Sequence, residues 1–209
     1  CRDLAVKEMR MNINEFAKEV HQNAVAHGWW DGERTTEEII ALIHSEWSEA
    51  LEEARAGMPM AYQVQSHGIV QGRIQTDMAK WFPGQKPEGI GVELVDGCIR
   101  ILDYLGKMNV VFMDNPTLDH LMRTTPEKAY KVPLLRLVAN LHLKTSQAYS
   151  MLMPEHAGPE SGRRGFAMLF EAISIACAWL MDQGVNAEQL MLKKHEFNKG
   201  RPYKHGKKF

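Results

Sequence analysis

Four acidic side chains at helical spacing are the first candidates for chemistry in this sequence. They are Glu46 and Glu49 in one segment and Glu93 and Asp96 in another. With about 100° between successive residues of a helix, Glu46 lies between Leu42 and Ile39, inside the apolar arc, and Glu49 borders that arc. Because burial of an unpaired carboxylate is costly, these positions predict a bound cation.

The plain alternative for such an acidic run is a solvated helix face. That arrangement is common. It does not fit Glu53, however, because Glu53 falls in the same apolar arc as Glu46. In the second segment, an i,i+4 pair of Asp96 with Arg100 would account for Asp96, but it leaves Glu93 without an explanation. A solvated face therefore does not account for every acidic residue.

The chemistry of the candidate ligands narrows the choice of cation. All of them are carboxylate oxygens and no cysteine is among them, which favours Mg²⁺ or Mn²⁺ over structural zinc. A di-iron helical bundle would need Glu-x-x-His on two helices, and neither acidic pair has a histidine at that place. The pattern therefore indicates a hard divalent cation.

A basic segment, residues 193–209, is the second candidate for chemistry. Lys194, Asn198 and Arg201 recur at i, i+4 and i+7, which places them in one stripe if a helix persists that far. Arginine offers a bidentate fork and lysine a point charge, and both bind phosphate oxygens. A flexible tail or a weak nucleic-acid patch is the alternative. Together, the acidic residues and the stripe suit a complex of a metal with a polyphosphate.

Helical periodicity dominates the chain and strand alternation is nearly absent, so the predicted fold class is all-α. The predicted helices cover residues 12–27, 35–57, 91–107, 134–153 and 166–183, with a short helix beginning at residues 115–117 and a last helix capped by Asn186 with Gln189. Residues 58–87 form a long connection of a kind that is usually functional or mobile, and residues 154–165 form a Pro/Gly-rich loop.

Two parts of the chain look like variants of one helical pattern. Residues 41–50 match residues 139–148, and residues 96–101 match residues 171–176. We therefore predict two similar helical halves, residues 12–130 and 131–209, packed together as a fused pseudo-dimer in one compact unit.

Several stretches of the chain carry a resemblance to a known family. The longest is ALIHSEWSEALEEARAG at residues 41–57, followed by KPEGIGVELVD at 86–96, IRILD at 99–103, KHEFN at 194–198 and RPYKHG at 201–206. In these stretches the chain resembles the MazG-like all-α nucleoside triphosphate pyrophosphohydrolases, whose relatives include the dimeric dUTPases and the dCTP pyrophosphatases. The resemblance implies a helical bundle that cleaves between the α- and β-phosphates and releases a nucleoside monophosphate and pyrophosphate.

The resemblance also implies roles for particular side chains. Glu46, Glu49, Glu93 and Asp96 would hold Mg²⁺, with Mn²⁺ as an alternative; Lys194, Asn198 and Arg201 would contact phosphates; Trp29 and Trp30 lie near where relatives place contacts to the base. For the two tryptophans, anchoring the core or a loop is an equal alternative. Glu53, one turn beyond Glu49, is the candidate general base.

The order of the motifs departs from the simplest pattern of that family. Single-copy members carry the Lys/Asn/Arg stripe directly after the Glu-x-x-Asp helix, whereas about 90 residues intervene here. Lys144 and Gln147 stand in place of the first acidic pair, and Met168 and Glu171 stand in place of the second. We interpret the second half as catalytically degenerate: it supplies the phosphate stripe, and the first half supplies the metal ligands.

Composition limits the remaining classes of function. The 209 residues carry a net charge of −1, which offers no general attraction for nucleic acid or an anionic membrane. The longest apolar run, within residues 172–181, is about half of the ~20 residues that a membrane span needs. Three cysteines are an odd number, and Cys98 and Cys177 lie in apolar helical patterns, which is typical of buried free thiols in a reduced, cytoplasmic setting.

Two other classes of function stay open beside hydrolysis. One is a non-catalytic helical module that binds nucleotide and metal. The other is a helical protein that binds nucleic acid through the basic tail, which the neutral net charge argues against. The expected partner is a nucleoside triphosphate, without a membrane or nucleic acid, and a homodimer stays open. His44, on the outward face of its predicted helix, is expected to be a surface histidine.

Overall fold

The computed structural model describes residues 11–67, 70–112, 114, 116–153 and 158–206. Within these residues, eight α-helices and one two-stranded hairpin confirm the predicted all-α class. The helices are α1 (Ile13–Ala26), α2 (Thr36–Arg55), α3 (Ile90–Lys107), α4 (Leu118–Thr124), α5 (Glu127–Tyr130), α6 (Leu134–Leu152), α7 (Pro159–Asp182) and α8 (Ala187–Lys199). The strands β1 (Gln63–His67) and β2 (Val70–Gln75) are antiparallel, and 3₁₀ turns lie at Met78–Lys80 and Tyr203–Gly206.

Side-chain caps fix where α2 and α8 begin. Thr35 accepts a hydrogen bond from the amide of Glu38 at 3.2 Å. Asn186 accepts one from the amide of Gln189 at 2.9 Å. Each cap satisfies an amide of the first turn that would otherwise lack a partner. The predicted starts of both helices are therefore confirmed.

Helix α3 is the centre of the bundle. It packs against α1, α2, α7 and α8, while α6 packs against α2 and α7. Its side chains Leu94, Ile101 and Leu105 are fully buried, and Cys98 and Cys177 are buried free thiols, as predicted. Because α3 contacts both the acidic helix α2 and the basic helix α8, it brings the two sets of candidate ligands together.

Helix α7 is long and apolar enough, by length and composition alone, to cross a membrane. It is the one such helix in the part of the chain that the structure describes, and 56% of its most apolar window is buried inside the protein. A core helix surrounded by other helices has the same composition without a membrane.

Two contacts between α2 and α6 join residues that the internal match pairs. The rings of His44 and His142 stack with their centres 5.0 Å apart, and their Nδ1 atoms are 2.7 Å apart. Trp47 Nε1 donates to Thr145 Oγ1 at 3.0 Å. Contacts between equivalent residues are what a two-fold axis produces. They support the pseudo-dimer, which stays a prediction.

The same contact corrects the expectation for His44. This side chain is half-buried against α6, so it is not a surface histidine. Burial lowers the pKa of His44, with a further contribution from His142, and burial also lowers the pKa of His142. The helical wheel identifies the polar face of a helix, but it does not show whether another helix packs against that face.

Two predicted loops contain regular structure instead. Residues 58–87 include the β1–β2 hairpin, whose strands are polar at most positions and lack the alternation that marks a strand. Helix α7 begins at Pro159, not at residue 166, because proline suits a first turn and Glu160 forms ion pairs with two arginines of the following turn. Parts of some predictions lie outside the described residues: Cys1, Asn115, residues 154–157 and residues 207–209.

Candidate metal centre

Three glutamate side chains converge where α2 and α3 meet. Glu46, Glu49 and Glu93 each offer a carboxylate oxygen, and these oxygens lie within 4.8 Å of one another. Only 4% of Glu46 and 5% of Glu93 is exposed, whereas Glu49 is exposed. The structure brings together three of the four predicted metal ligands, and Glu46 is buried as the helical wheel predicts.

Asp96, the fourth predicted ligand, lies outside this group of three. Its Oδ2 forms an ion pair of 2.6 Å with Lys194 Nζ, and only 2% of the Lys194 side chain is exposed. The alternative pair of Asp96 with Arg100 is not the one that forms, because Arg100 Nε donates to Glu46 instead. Two of the four carboxylates therefore have a cationic partner within the protein.

Glu93 is buried, yet none of the described residues forms a hydrogen bond or an ion pair with its carboxylate, whereas Glu46 and Asp96 each have a cationic partner. Burial raises the pKa of Glu93 to about 8, and the negative charge of Asp96 adds to this shift while Lys194 opposes it. Burial also raises the pKa of Glu46, in spite of Arg100. A divalent cation would stabilise this excess of buried negative charge, and the oxygen donors fit Mg²⁺ or Mn²⁺.

An open cleft lies along α3, and of the four predicted metal ligands Asp96 lines it. Asn198 and Arg201, two of the three predicted phosphate ligands, line it together with Asp96 and Arg100. Helix α8 ends at Lys199, so Arg201 follows the helix and does not continue its stripe. Asn198 and Arg201 therefore share the cleft with Asp96, whereas Lys194 and the three glutamates do not line it.

The two tryptophans that precede α2 have different positions. Trp29 lines the cleft. Trp30 is an anchor, because its Nε1 donates to both carboxylate oxygens of Asp103, at 2.9 and 3.2 Å, and Lys107 Nζ lies 5.1 Å from the centre of its ring. The geometry leaves Trp29 as the candidate for a contact to the base and gives Trp30 the anchoring role.

Glu53, the candidate general base, also lies outside the group of three glutamates. Tyr62 Oη donates to Glu53 Oε2 at 3.2 Å and so orients the carboxylate. Burial raises the pKa of Tyr62, and the negative charges of Glu53, Glu88 and Glu93 add to the shift. The Tyr62 hydroxyl therefore stays protonated and remains a donor. The role of Glu53 as a base stays a prediction.

Arg34 also lines the cleft, although nothing in the sequence singles it out. Its Nε donates to Glu38 Oε1 at 2.8 Å, which is an ordinary i,i+4 pair and gives no sign of a ligand site. Its place in the fold marks Arg34 as a possible site residue, because Trp29 and Asp103 line the same cleft.

Comparison of the chain with protein-family models, with curated proteins and with solved structures gives no match.

Proposed function

We propose that the chain is a Mg²⁺-dependent pyrophosphohydrolase of the MazG-like type, which hydrolyses nucleoside triphosphates to the monophosphate and pyrophosphate. The observation that carries the proposal is the 2.6 Å ion pair between Asp96 and Lys194. It joins a predicted metal ligand on α3 to a predicted phosphate ligand on α8. Carboxylates and cations that meet beside one cleft are what a complex of a metal with a polyphosphate requires.

The acidic residues have two tasks in this proposal. The metal would be held by Glu46, Glu49, Glu93 and Asp96. Bound Mg²⁺ supplies charge that neutralises phosphate oxygens and makes a water more acidic. Glu53, oriented by the Tyr62 hydroxyl, would accept the proton of the attacking water.

The basic residues would bind and orient the phosphates. Lys194 is buried beside Asp96, and Arg201 lines the cleft that Asp96 also lines. Burial lowers the pKa of Arg201, while the negative charges of Asp96 and Glu46 oppose the shift. Arg201 therefore interacts electrostatically with these carboxylates. Asn198 adds an amide to the same wall. A lysine, an amide and an arginine together match the oxygens of a polyphosphate chain.

Release of pyrophosphate from a panel of ribo- and deoxyribonucleoside triphosphates with Mg²⁺ tests the proposal. Glu46→Gln and Asp96→Asn should each reduce turnover by about 100-fold or more. Glu52→Gln, on the exposed face of α2, is the matched control and should keep it. Full turnover in both site variants would refute the metal assignment. Nucleotide binding by the wild-type chain without release of pyrophosphate would identify a non-catalytic binding module.

Arg201→Ala addresses the phosphate ligands separately. Loss of a charged hydrogen bond should weaken binding of a nucleoside triphosphate by roughly 10- to 150-fold, and binding of a monophosphate much less. Equal losses for the two ligands would contradict a contact between Arg201 and the departing phosphates.

A further inference from the structure

The wall of the cleft contains buried polar atoms that lack a hydrogen-bond partner. Among the described residues these atoms are Arg34 Nη2, Asn198 Oδ1 and both ring nitrogens of His195, and all three residues line the cleft. His195 Nε2 has a charged neighbour, since it lies 3.3 Å from Glu19 Oε1. Arg34 and Asn198 therefore stand out, because a buried donor or acceptor left in this way is costly unless a ligand satisfies it.

Contacts with its neighbours hold the Arg34 side chain in place, although Nη2 has no partner among the described residues. Only 9% of its side chain is exposed, and its Nε is bonded to Glu38. Its Cζ lies 5.7 Å from the centre of the Trp29 ring and 5.4 Å from that of Trp30, so the guanidinium is packed against two aromatic faces. A side chain fixed in this way is organised in advance to donate a hydrogen bond.

The cleft has two chemically different ends along α3. Asp96 lies at the end that carries the candidate phosphate ligands. Asp103 lies seven residues later, which is about 10 Å further along the helix axis. Arg34 belongs to the Asp103 end, because it packs against Trp30, which donates to Asp103. If the phosphates lie at the Asp96 end, the nucleoside extends towards Trp29 and Arg34.

Hydrogen bonding at the Asp103 end favours one kind of base. Asp103 accepts from Trp30 Nε1 and lies 2.8 Å from His21 Nδ1, so its oxygens are engaged. Arg34 Nη2, which packs beside this end, is a buried donor without a hydrogen-bond partner among the described residues, so it is available to a ligand there. A keto oxygen accepts a hydrogen bond from a guanidinium, whereas an exocyclic amino group presents a second donor to it.

We infer that the cleft binds the nucleoside of the substrate, with the base against Trp29 and with Arg34 Nη2 donating to a keto oxygen of that base. The inference rests on the proposed function for the position of the phosphates. It defines a substrate class: nucleotides of 6-oxopurines, such as guanine and hypoxanthine, and of 4-oxopyrimidines, such as uracil and thymine. Adenine and cytosine carry an amino group at the same position. Binding should favour the keto base by roughly 10- to 150-fold, because the amino base leaves a buried charged donor unsatisfied.

Matched pairs of nucleoside monophosphates test this inference, with the full chain and without metal. Uridine monophosphate is compared with cytidine monophosphate, and inosine monophosphate with adenosine monophosphate, by calorimetric titration. In Arg34→Met the two members of each pair should bind within about twofold of each other, while binding of inorganic pyrophosphate is unchanged. Arg55→Met, an exposed arginine on α2, is the matched control and should keep the wild-type preference.

Several outcomes would overturn the inference. The first is that the wild-type chain binds both members of each pair equally or prefers the amino base. Weaker binding of inorganic pyrophosphate by Arg34→Met is another, because it would make Arg34 a phosphate ligand. If Arg34→Met does not fold, as judged by circular dichroism, Arg34→Lys replaces it in the test. Arg34→Lys keeps the charge without the planar fork and should lose most of the preference for the keto base. A preference retained by Arg34→Lys would also overturn the inference. A keto preference without release of pyrophosphate would refute only the proposed function.

Discussion

The ammonium group of Lys144 lies 2.5 Å from the carboxylate of Glu171, between α6 and α7. In the internal match, Lys144 takes the place of Glu46 and Glu171 takes the place of Asp96. The same ammonium lies 3.7 Å from Met168 Sδ. The second half therefore holds a cation of the protein itself at the place where the first half holds carboxylates proposed to bind a metal.

Lys144→Met tests whether this second location is inert. The ion pair is partly exposed, with 27% of the Lys144 side chain and 49% of the Glu171 side chain accessible. We therefore expect the free energy of unfolding, measured in urea, to change by no more than about 1 kcal/mol. Release of pyrophosphate should be unchanged, because the proposed metal ligands lie in the other half. A loss of turnover above about tenfold in a folded variant would show that the second location takes part in the chemistry.

Glu93→Gln is expected to stabilise the metal-free protein. Glu93 is a buried carboxylate, and burial opposes its ionised form, so the free energy of unfolding should rise by roughly 1–3 kcal/mol at neutral pH. Addition of Mn²⁺ should raise the Tm of the wild-type chain more than that of the variant. Glu46→Gln should raise the free energy of unfolding less than Glu93→Gln does, because it also removes the carboxylate partner of Arg100. A Glu93→Gln variant that Mn²⁺ stabilises as much as the wild-type chain would exclude Glu93 as a ligand.

Features of the fold that depend on nearby residues could be predicted from the sequence. The caps Thr35 and Asn186 each act within one turn, so the starts of α2 and α8 follow from local spacing. The hairpin of β1 and β2 could not be predicted in this way, because its strands lack the alternation of polar and apolar residues that a half-buried sheet shows.

The same distinction between nearby and distant residues applies to the candidate site. The burial of Glu46 follows from the helical wheel, because it depends on one helix alone. The surroundings of the carboxylates do not follow from it. Arg100 bonds Glu46 across the contact of α2 with α3, and Lys194 bonds Asp96 across the contact of α3 with α8. These pairs join residues far apart in the chain, so only the packing of the helices determines them.

The buried imidazole of His195 should make the protein less stable in acid. Burial lowers the pKa of His195, and the charge of Lys199 adds to the shift, while Glu19 opposes it. A histidine whose folded pKa lies below its unfolded value of about 6.5 stabilises the fold above that value, and the stabilisation is lost as the pH falls through and below it. His195→Gln should therefore reduce the decline in the free energy of unfolding between about pH 7 and 5.

His120, which is exposed on α4, supplies the control for this pH dependence. Urea unfolding is followed across the same pH range for wild type, His195→Gln and His120→Gln. The His120 variant should keep the wild-type slope of stability against pH. If the His195 variant also keeps it, the acid sensitivity of the fold comes from other groups.

Lys194→Met is expected to change metal binding and polyphosphate binding in opposite directions. In the metal-free protein the Lys194 ammonium neutralises Asp96, so it competes with a metal for that carboxylate. Its removal should tighten binding of Mn²⁺ alone by roughly 3- to 10-fold and weaken binding of inorganic tripolyphosphate by roughly 10- to 150-fold. Calorimetric titration with each ligand separately measures the two effects.

Lys193→Met is the matched control for this pair of titrations, because Lys193 lies over the Trp81 ring, 5.9 Å from its centre, in a different pocket. It should change neither affinity. Lys194→Met leaves the charge of Asp96 without its partner, so the free energy of unfolding should fall. Adding Asp96→Asn to Lys194→Met should restore that stability and abolish the tighter binding of Mn²⁺. A lysine with a purely structural role would weaken both ligands together when removed, and that result would contradict a phosphate contact by Lys194.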